Sequence, residues 1–353
     1  MREYYLLDKD LNIVSPIESY KSIIWTSRYF KHGDFELCVP ATPKLIESLK
    51  KDYYIVRDDM TQAMIIENMQ ITTDVENGDE VIITGKCLKS ILKRRIIESQ
   101  TTLNGRAEAC IRRLINENAV APDNEERKIS KLILGVEAGL TDTMSAQYTG
   151  DNLGETIDKI CMTFGYGYDI LLDFDDKQFI FILYKGVDRS YNQKTNPYVV
   201  FSNEYENLLK SNFVRNNEKY KNVAVVAGEG EGSARKKTTI GSATDLERYE
   251  VFVDARDISS NEGEINEAEY TKLLVERGQE ALAEAGTTED IDGEVEGNLT
   301  FKLNEDYFLG DIVEVINEYG IEMTPRVTEI IESEDDTGSY TIPTFATDGK
   351  ETI

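Results

Sequence analysis

Strand-length runs closed by turn residues crowd both ends of this chain, and that pattern restricts those ends to antiparallel sheets with tight connections. Residues 4–7 and 11–14 flank the hairpin turn Asp8-Lys9-Asp10, and residues 22–30 and 34–39 flank Lys31-His32-Gly33. Pro40 stops the fourth run, because proline lacks the N–H that a ladder needs. Thr42 is placed to cap a short helix over 44–49, with Pro43 in its first turn. Strands follow at 53–56, 64–73 and 80–87, the last two joined by Glu76-Asn77-Gly78-Asp79, and an amphipathic turn or two of helix closes the stretch by residue 97. So many short strands in about a hundred residues point to a small barrel or sandwich.

The middle changes period. Asn104 predicts a cap for a helix over 105–118, with Ala107, Ile111, Leu114 and Ile115 on one face. A second helix, 153–164, carries Ile157, Ile160 and Cys161 and stops at Gly165-Tyr166-Gly167. Two strands between 168 and 185 enclose an acidic tip at 173–177. Strands return at 198–201, 208–214, 222–227, 238–240 and 249–254. A helix over 266–285 intervenes, with Tyr270, Leu273, Leu274, Ala281 and Leu282 inward, before strands at 291–303, 312–316, 321–331 and 340–345. The fold class is therefore α+β, mainly β: a β-rich domain at 1–97, an inserted α+β domain at 98–190, a second β-rich domain at 191–345 with the inserted helix 266–285, and a flexible polar tail at 346–353. The two β-rich ends share a layout. Ile55-Val56, a bend at Asp58-Asp59, a long strand, a turn ending Asn77-Gly78 and a closing strand are matched by Ile312-Val313, a bend at Asn317-Glu318, a long strand, a turn ending Thr337-Gly338 and a closing strand.

Charge and rare residues narrow the chemistry. The 353 residues carry a formal net charge of −27. Binding to duplex DNA or an anionic membrane depends on clustered Lys and Arg, so neither is an expected partner. Any Ser-His-Asp or Cys-His site would have to use His32, the single histidine, which lies in a turn. Cys38, Cys87, Cys110 and Cys161 form no Cys-x-x-Cys pair and read as buried free thiols. No long apolar run marks a signal peptide or a membrane span, so a soluble protein made in a cytoplasm is expected.

Candidate sites compete with structural readings. Gly228-Glu229-Gly230-Glu231-Gly232 follows a strand but opens no helix and lacks Gly-Lys-Ser/Thr, so it reads as a flexible hairpin tip. It leads into Arg235-Lys236-Lys237, the most concentrated basic patch and a candidate partner-binding finger. Asp173, Asp175 and Asp176, or Glu332, Glu334, Asp335 and Asp336, could be written as an acid and base pair or as calcium ligands, but no calcium-loop spacing appears and both clusters fall in expected hairpin turns. Arg94-Arg95 and Arg112-Arg113 read as snorkelling or glutamate-paired cations, and Trp25 as core. No residue is assigned a catalytic, cofactor-binding or metal-binding role.

Trp25-Thr26-Ser27-Arg28-Tyr29-Phe30 with Gly33-Asp34-Phe35-Glu36-Leu37-Cys38-Val39-Pro40 resembles the opening motif of the tail-hub proteins of long-tailed bacteriophages, the family that includes the hub region of tail-associated lysins. Further similar segments follow in order: Gly85 with 88–97, Asn152-Leu153-Gly154-Glu155, Lys185-Gly186-Val187-Asp188-Arg189-Ser190, 201–208 and Gly310-Asp311-Ile312-Val313. The resemblance implies a structural, non-enzymatic virion protein at the tail tip, synthesised in the host cytoplasm. It implies a homotrimeric ring in which each chain supplies two tail-tube-like β-barrels, at 1–97 and 191–345, so that three chains adapt a sixfold tube to a threefold tip. The implied partners are the distal tail or tail tube protein, the tape measure protein and the receptor-binding or lytic proteins of the tip, with DNA only in transit and no cofactor. Because the chain ends at Ile353, lytic activity is expected on another protein. Gly33, Gly85 and Gly186 are expected to free the backbone at bends, and Asp188-Arg189 to pin a loop by a charged hydrogen bond. Two rival readings are a tail-tip cell-wall hydrolase working through a carboxylate pair and a soluble carbohydrate-binding module.

Overall fold

A computed structural model describes residues 2–76, 78–263, 265–295 and 300–346, without side-chain detail for 262 and 288–295. The first β-rich region runs β1 (Tyr4–Leu7), β2 (Ile13–Ile17), β3 (Ser22–Arg28), β4 (Asp34–Pro40), α1 (Pro43–Ser48), β5 (Tyr54–Arg57), β6 (Ala63–Thr72) and β7 (Glu80–Cys87). Thr42 caps α1 as its spacing predicts, its hydroxyl accepting from the Leu45 N–H. Alternation is cleanest in β7, where every second residue from Val81 to Cys87 is buried. A 3₁₀ segment, Leu88–Arg94, leads into the middle region.

The middle region holds β8 (Thr101–Arg106), α2 (Ala107–Ile115), β9 (Leu132–Leu134), β10 (Thr143–Tyr148), α3 (Leu153–Phe164), β11 (Gly167–Asp173) and β12 (Gln178–Tyr184). Asn104 caps no helix. It lies in β8 opposite Ser145 of β10, and α2 begins two residues later than expected, at Ala107. The helix pattern hid the strand because Thr101 and Leu103 are the buried positions of β8, too few to display a period of two. β9 and β10 were likewise invisible to the pattern. α3 matches its expected limits, capped by Asn152 and closed by Gly165 at φ 65°, where a left-handed residue suits glycine.

The last region comprises β13 (Val200–Ser202), β14 (Leu208–Asn216), β15 (Val223–Ala227), β16 (Lys237–Ile240), β17 (Glu250–Asp254), α4 (Glu267–Glu284), β18 (Thr288–Val295), β19 (Glu314–Ile316), β20 (Glu322–Met323), β21 (Arg326–Asp335) and β22 (Gly338–Ala346). The expected inserted helix does not stand alone. α4 packs on the sheet β16-β15-β17, and these elements hold their own apolar core around Val226, Tyr270, Leu273 and Leu274. Ala346 ends β22 and so belongs to a strand rather than to a tail; the remainder of the expected flexible tail, 347–353, lies outside the described residues, as does Asn77 of the expected turn.

One eleven-stranded sheet crosses the molecule in the order β14-β18-β22-β21-β3-β4-β7-β6-β5-β1-β2, and the ladders close no barrel among the described residues. The two β-rich regions are joined edge to edge: β21 pairs antiparallel with β3 from Glu329↔Arg28 to Asp335↔Ser22. Within the sheet, β14-β18-β22-β21 repeats β3-β4-β7-β6. The bulges coincide, since β6 slips register between Ile66 and Asn68 against β7 as β21 slips between Val327 and Glu329 against β22. The entry turns coincide too. Asp52 (φ 62°) donates its N–H to the Ile66 carbonyl, and Gly310 (φ 97°) donates its N–H to the Val327 carbonyl. The repeated layout read from sequence is thus a repeated strand order, with 312–313 matching 54–55 rather than 55–56. The repeat stops further out, where β5 pairs antiparallel with β1 but β19 pairs parallel with β13. Among the described residues no helix is long and apolar enough to cross a membrane.

Candidate functional site at a three-way junction

Tyr29 sits at the end of β3 with no exposed surface, and all three regions meet around it. Its hydroxyl donates to the Gly165 carbonyl at 3.1 Å and accepts from the Gly186 N–H at 3.0 Å, both in the middle region. The Arg326 guanidinium of β21 lies 5.3 Å from its ring centre and donates to the Gly310 carbonyl at 2.7 Å. Such close stacking needs glycine for steric room. A Cβ on Gly310 would fall 2.1 Å from the Tyr29 ring, and one on Gly186 would fall 1.8 Å from the Gly310 carbonyl oxygen.

Asp311 locks the junction. Its carboxylate accepts from the Val187 N–H (2.7 Å), Arg189 Nε (2.7 Å) and the Phe308 N–H (3.1 Å), with 1 % of the residue exposed. Arg189 therefore makes the charged hydrogen bond expected of it, toward Asp311, while Asp188 accepts from the Ser190 N–H and shapes the loop. Bidentate use of one buried carboxylate by backbone and guanidinium donors fixes the 186–190 segment against 308–311.

The other motif segments also meet one another. Asn152 donates to the Lys93 carbonyl at 2.8 Å, and Gly154 packs where a Cβ would fall 2.8 Å from the Lys93 nitrogen. Asn207, 1 % exposed, accepts from the Ser202 N–H and donates to the Val200 carbonyl. The glycine expectation is corrected: Gly33, Gly85 and Gly186 do not adopt positive φ. They allow close backbone approach, a Cβ on Gly33 meeting the Thr26 oxygen at 1.9 Å and one on Gly85 the Ile65 oxygen at 1.8 Å.

Sequence-flagged carboxylates are dispersed into structural duties. Asp173 accepts from the N–H groups of Asp175 and Asp176 in its own turn. Glu332 and Glu334 are not in a turn; they occupy inward positions of β21, 6 % and 7 % exposed, with only Asp336 and Thr337 forming the turn. Glu332 pairs with Arg57 of β5 at 3.0 Å and with Arg2 at 2.6 Å, a second tie between the β-rich regions. Among the described residues no group of three His, Cys, Asp or Glu side chains could hold a metal ion. A cavity of about 410 Å³ beside the junction is lined by Ser27, Gln62, Asp169, Lys185, Asp311 and Glu332 among others, and Gln62 already donates to Asp169 at 2.7 Å.

His32 is half-buried, and burial, with Lys93, Lys86 and Arg28 nearby, lowers its pKa to about 4. Two residues of the basic finger are paired within its own fold: Arg235 with Asp254, and Lys236 with Glu229 and Glu267. Arg94 pairs with Asp52 and Arg113 with Glu117, whereas Arg95 and Arg112 donate to backbone carbonyls. Trp25 is core, 1 % exposed, and all four cysteines are free and buried. Sequence reasoning missed Arg57 and Arg326, since a lone arginine at a strand end carries no pattern.

The fold is that of phage tail proteins. It matches the 43 kDa tail protein of prophage MuSo2 from Shewanella oneidensis (TM-score 0.60, 14% identity, 98% of each chain) and a tail protein from Neisseria meningitidis MC58 (TM-score 0.60, 13% identity, 99% of this chain and 97% of that one). Prophage tail protein gp18 from Listeria monocytogenes EGD-e matches with TM-score 0.56 at 11% identity, over 99% of this chain and 96% of that one. Over residues 3–345 the chain belongs to the Siphovirus ReqiPepy6 Gp37-like protein family, which makes it a phage tail hub-like protein. No functionally curated protein matches it.

Proposed function

We propose that this chain is a structural hub at the tip of a phage or phage-like tail. Three copies form a ring that adapts the sixfold tail tube or distal tail protein to a threefold tip and lines or closes the DNA channel. The observation that carries this reading is the repeated strand order β3-β4-β7-β6 and β14-β18-β22-β21 in one chain of a tail-protein family, because two equivalent units per chain turn threefold symmetry into a ring of six. The proposed units are 1–97 and 191–345, each a tail-tube-like element, with 98–190 inserted between them. The role is structural: the flagged carboxylates are engaged in turns and ion pairs. Distal tail or tube protein, tape measure protein and tip proteins are the proposed neighbours. Three chains of −27 carry about −81 together, and acid facing the lumen would let DNA slide without sticking. A cryo-EM map of assembled tails tests the reading: three copies in a ring around an open or plugged channel are expected, whereas six copies or one axial copy would overturn it.

A further inference from the structure

Beside the Tyr29 junction the three regions do not close on one another completely, and the cavity of about 410 Å³ is what they leave. Its walls are largely apolar, with Met60 from the first region, Ile182 from the middle one and Leu303, Phe308 and Ile330 from the last. A more open hollow of about 560 Å³ adjoins it, because Met60, Gln62, Asp169 and Asn304 line both spaces. Asp58 and Phe174 stand on this outer hollow, and both are exposed, Phe174 at 45 %.

One carboxylate in this space lacks a countercharge. Asp311 is occupied by its three donors, and Glu332 is held by Arg57 and Arg2. Lys185, on the cavity wall, pairs with Asp142 at 3.5 Å. Asp169 is different. It is 6 % exposed, and both donors that reach its carboxylate among the described residues are neutral: the Ile170 N–H at 2.8 Å and Gln62 Nε2 at 2.7 Å. Two such donors leave part of a carboxylate's acceptor capacity unused, and a buried carboxylate without a cation is costly. Tyr184, another wall residue, adds an aromatic ring, a surface that attracts cations.

We propose that the cavity receives a lysine or arginine side chain carried by a neighbouring tail protein, its alkyl stem against the apolar wall and its charged head on Asp169. Such side chains combine an apolar stem with a cationic tip, the two chemistries this cavity offers together. A cation that meets a carboxylate out of bulk water makes a charge-assisted hydrogen bond that salt screens little. Charge also selects the partner. With 66 acidic against 39 basic side chains, this chain attracts a more basic protein and repels another copy of itself. The cation site stands on the cavity alone; its filling by a tail protein rests on the hub reading.

The single tryptophan reports occupancy. Trp25 donates its indole N–H to Gln62 Oε1 at 3.4 Å, and Gln62 donates to Asp169, so a cation arriving at Asp169 should move one indole NMR signal. The full-length chain is titrated with butylammonium chloride, with butanol as the stem alone and with ammonium chloride as the charge alone. A saturable shift is expected with butylammonium only, and Asp169→Asn should weaken it about tenfold. An equal response to butanol would make the site a plain apolar hollow, and an equal response to ammonium chloride would make the effect one of ionic strength. Either overturns the proposal, as does the absence of a saturable shift or unchanged binding by a folded Asp169→Asn chain. The probe comparison uses the unaltered chain, so it decides even where Asp169→Asn does not fold. For the source of the cation, Phe174 is replaced by photoreactive p-benzoylphenylalanine and assembled tails are irradiated. Adducts are expected on a lysine- or arginine-bearing segment of a neighbouring protein. No adduct, an adduct on another copy of this chain, or one on a segment without a basic residue overturns the partner assignment. A chain that binds butylammonium but is absent from tails keeps the cation site and rejects the hub reading alone.

Discussion

Glu332→Ala should loosen the seam between the two β-rich regions. Arg57 and Glu332 are 2 % and 7 % exposed in their side chains and meet at 3.0 Å across β5 and β21, so alanine strips a buried guanidinium of its main partner. Removing one member of a buried pair costs about 3–5 kcal/mol. Asp59 still holds Arg57 from the half-exposed side, which puts the expected loss near the lower bound, about 3 kcal/mol. With a urea slope of about 2 kcal/mol per molar, the unfolding midpoint falls by about 1.5 M. The chain supplies its own probe: Trp25, the single tryptophan, is buried with Arg57 5.7 Å from its ring, so its emission should shift to the red as the seam opens. Replacing both partners with apolar residues, Arg57→Met with Glu332→Leu, should recover much of the loss, because neither charge is then left alone. A Glu332→Ala midpoint within about 0.3 M of wild type, or a double variant less stable than the single one, would refute the reasoning.

Gly186→Ala should be severe, since its Cβ would meet the Gly310 carbonyl oxygen at 1.8 Å; thermal unfolding should show a large drop in Tm or no folded protein, and a wild-type curve would contradict the packing. His32 should give one imidazole NMR titration with a midpoint of about 4 instead of 6.5. Its folded pKa is depressed, so the fold favours the neutral ring: the associated stability is complete above about pH 6.5 and is lost as pH falls toward 4, a slope that His32→Gln should remove. The four buried thiols should resist a thiol reagent in the native protein and all react in urea. Burial pushes Cys87 up to about 11 and Cys161 higher still, so fast native labelling of either would contradict their placement.

Local chemistry made much of this fold legible. Pro40, Thr42 with Pro43, and Gly165 marked element ends because each acts through its own backbone or its next turn, whereas the Asn152 cap of α3 emerged only with the structure. β8 and β9 were not legible, since short strands with two or fewer buried positions carry no period. The junction was half legible. Gly186, Asp188-Arg189 and Gly310-Asp311 stood out as motif segments, but their meeting around Tyr29 depends on contacts more than a hundred residues apart, such as Tyr29 with Gly186. Glu332 was read as a solvated turn residue because acidic side chains usually are; only Arg57, far away in sequence, makes its burial sustainable. The strand repeat was visible as layout, whereas its bulge at Ile66 and Val327 required the ladders.

The central claim is that two repeats per chain build a pseudo-sixfold ring from three chains. Cryo-EM of assembled tails at a resolution that separates strands measures it directly. The account predicts three copies in a ring at the tip, each placing its two strand repeats, β3-β4-β7-β6 and β14-β18-β22-β21, as two of six equivalent units. Six copies, a single copy on the axis, or three copies whose repeats are not arranged as six equivalents would contradict it.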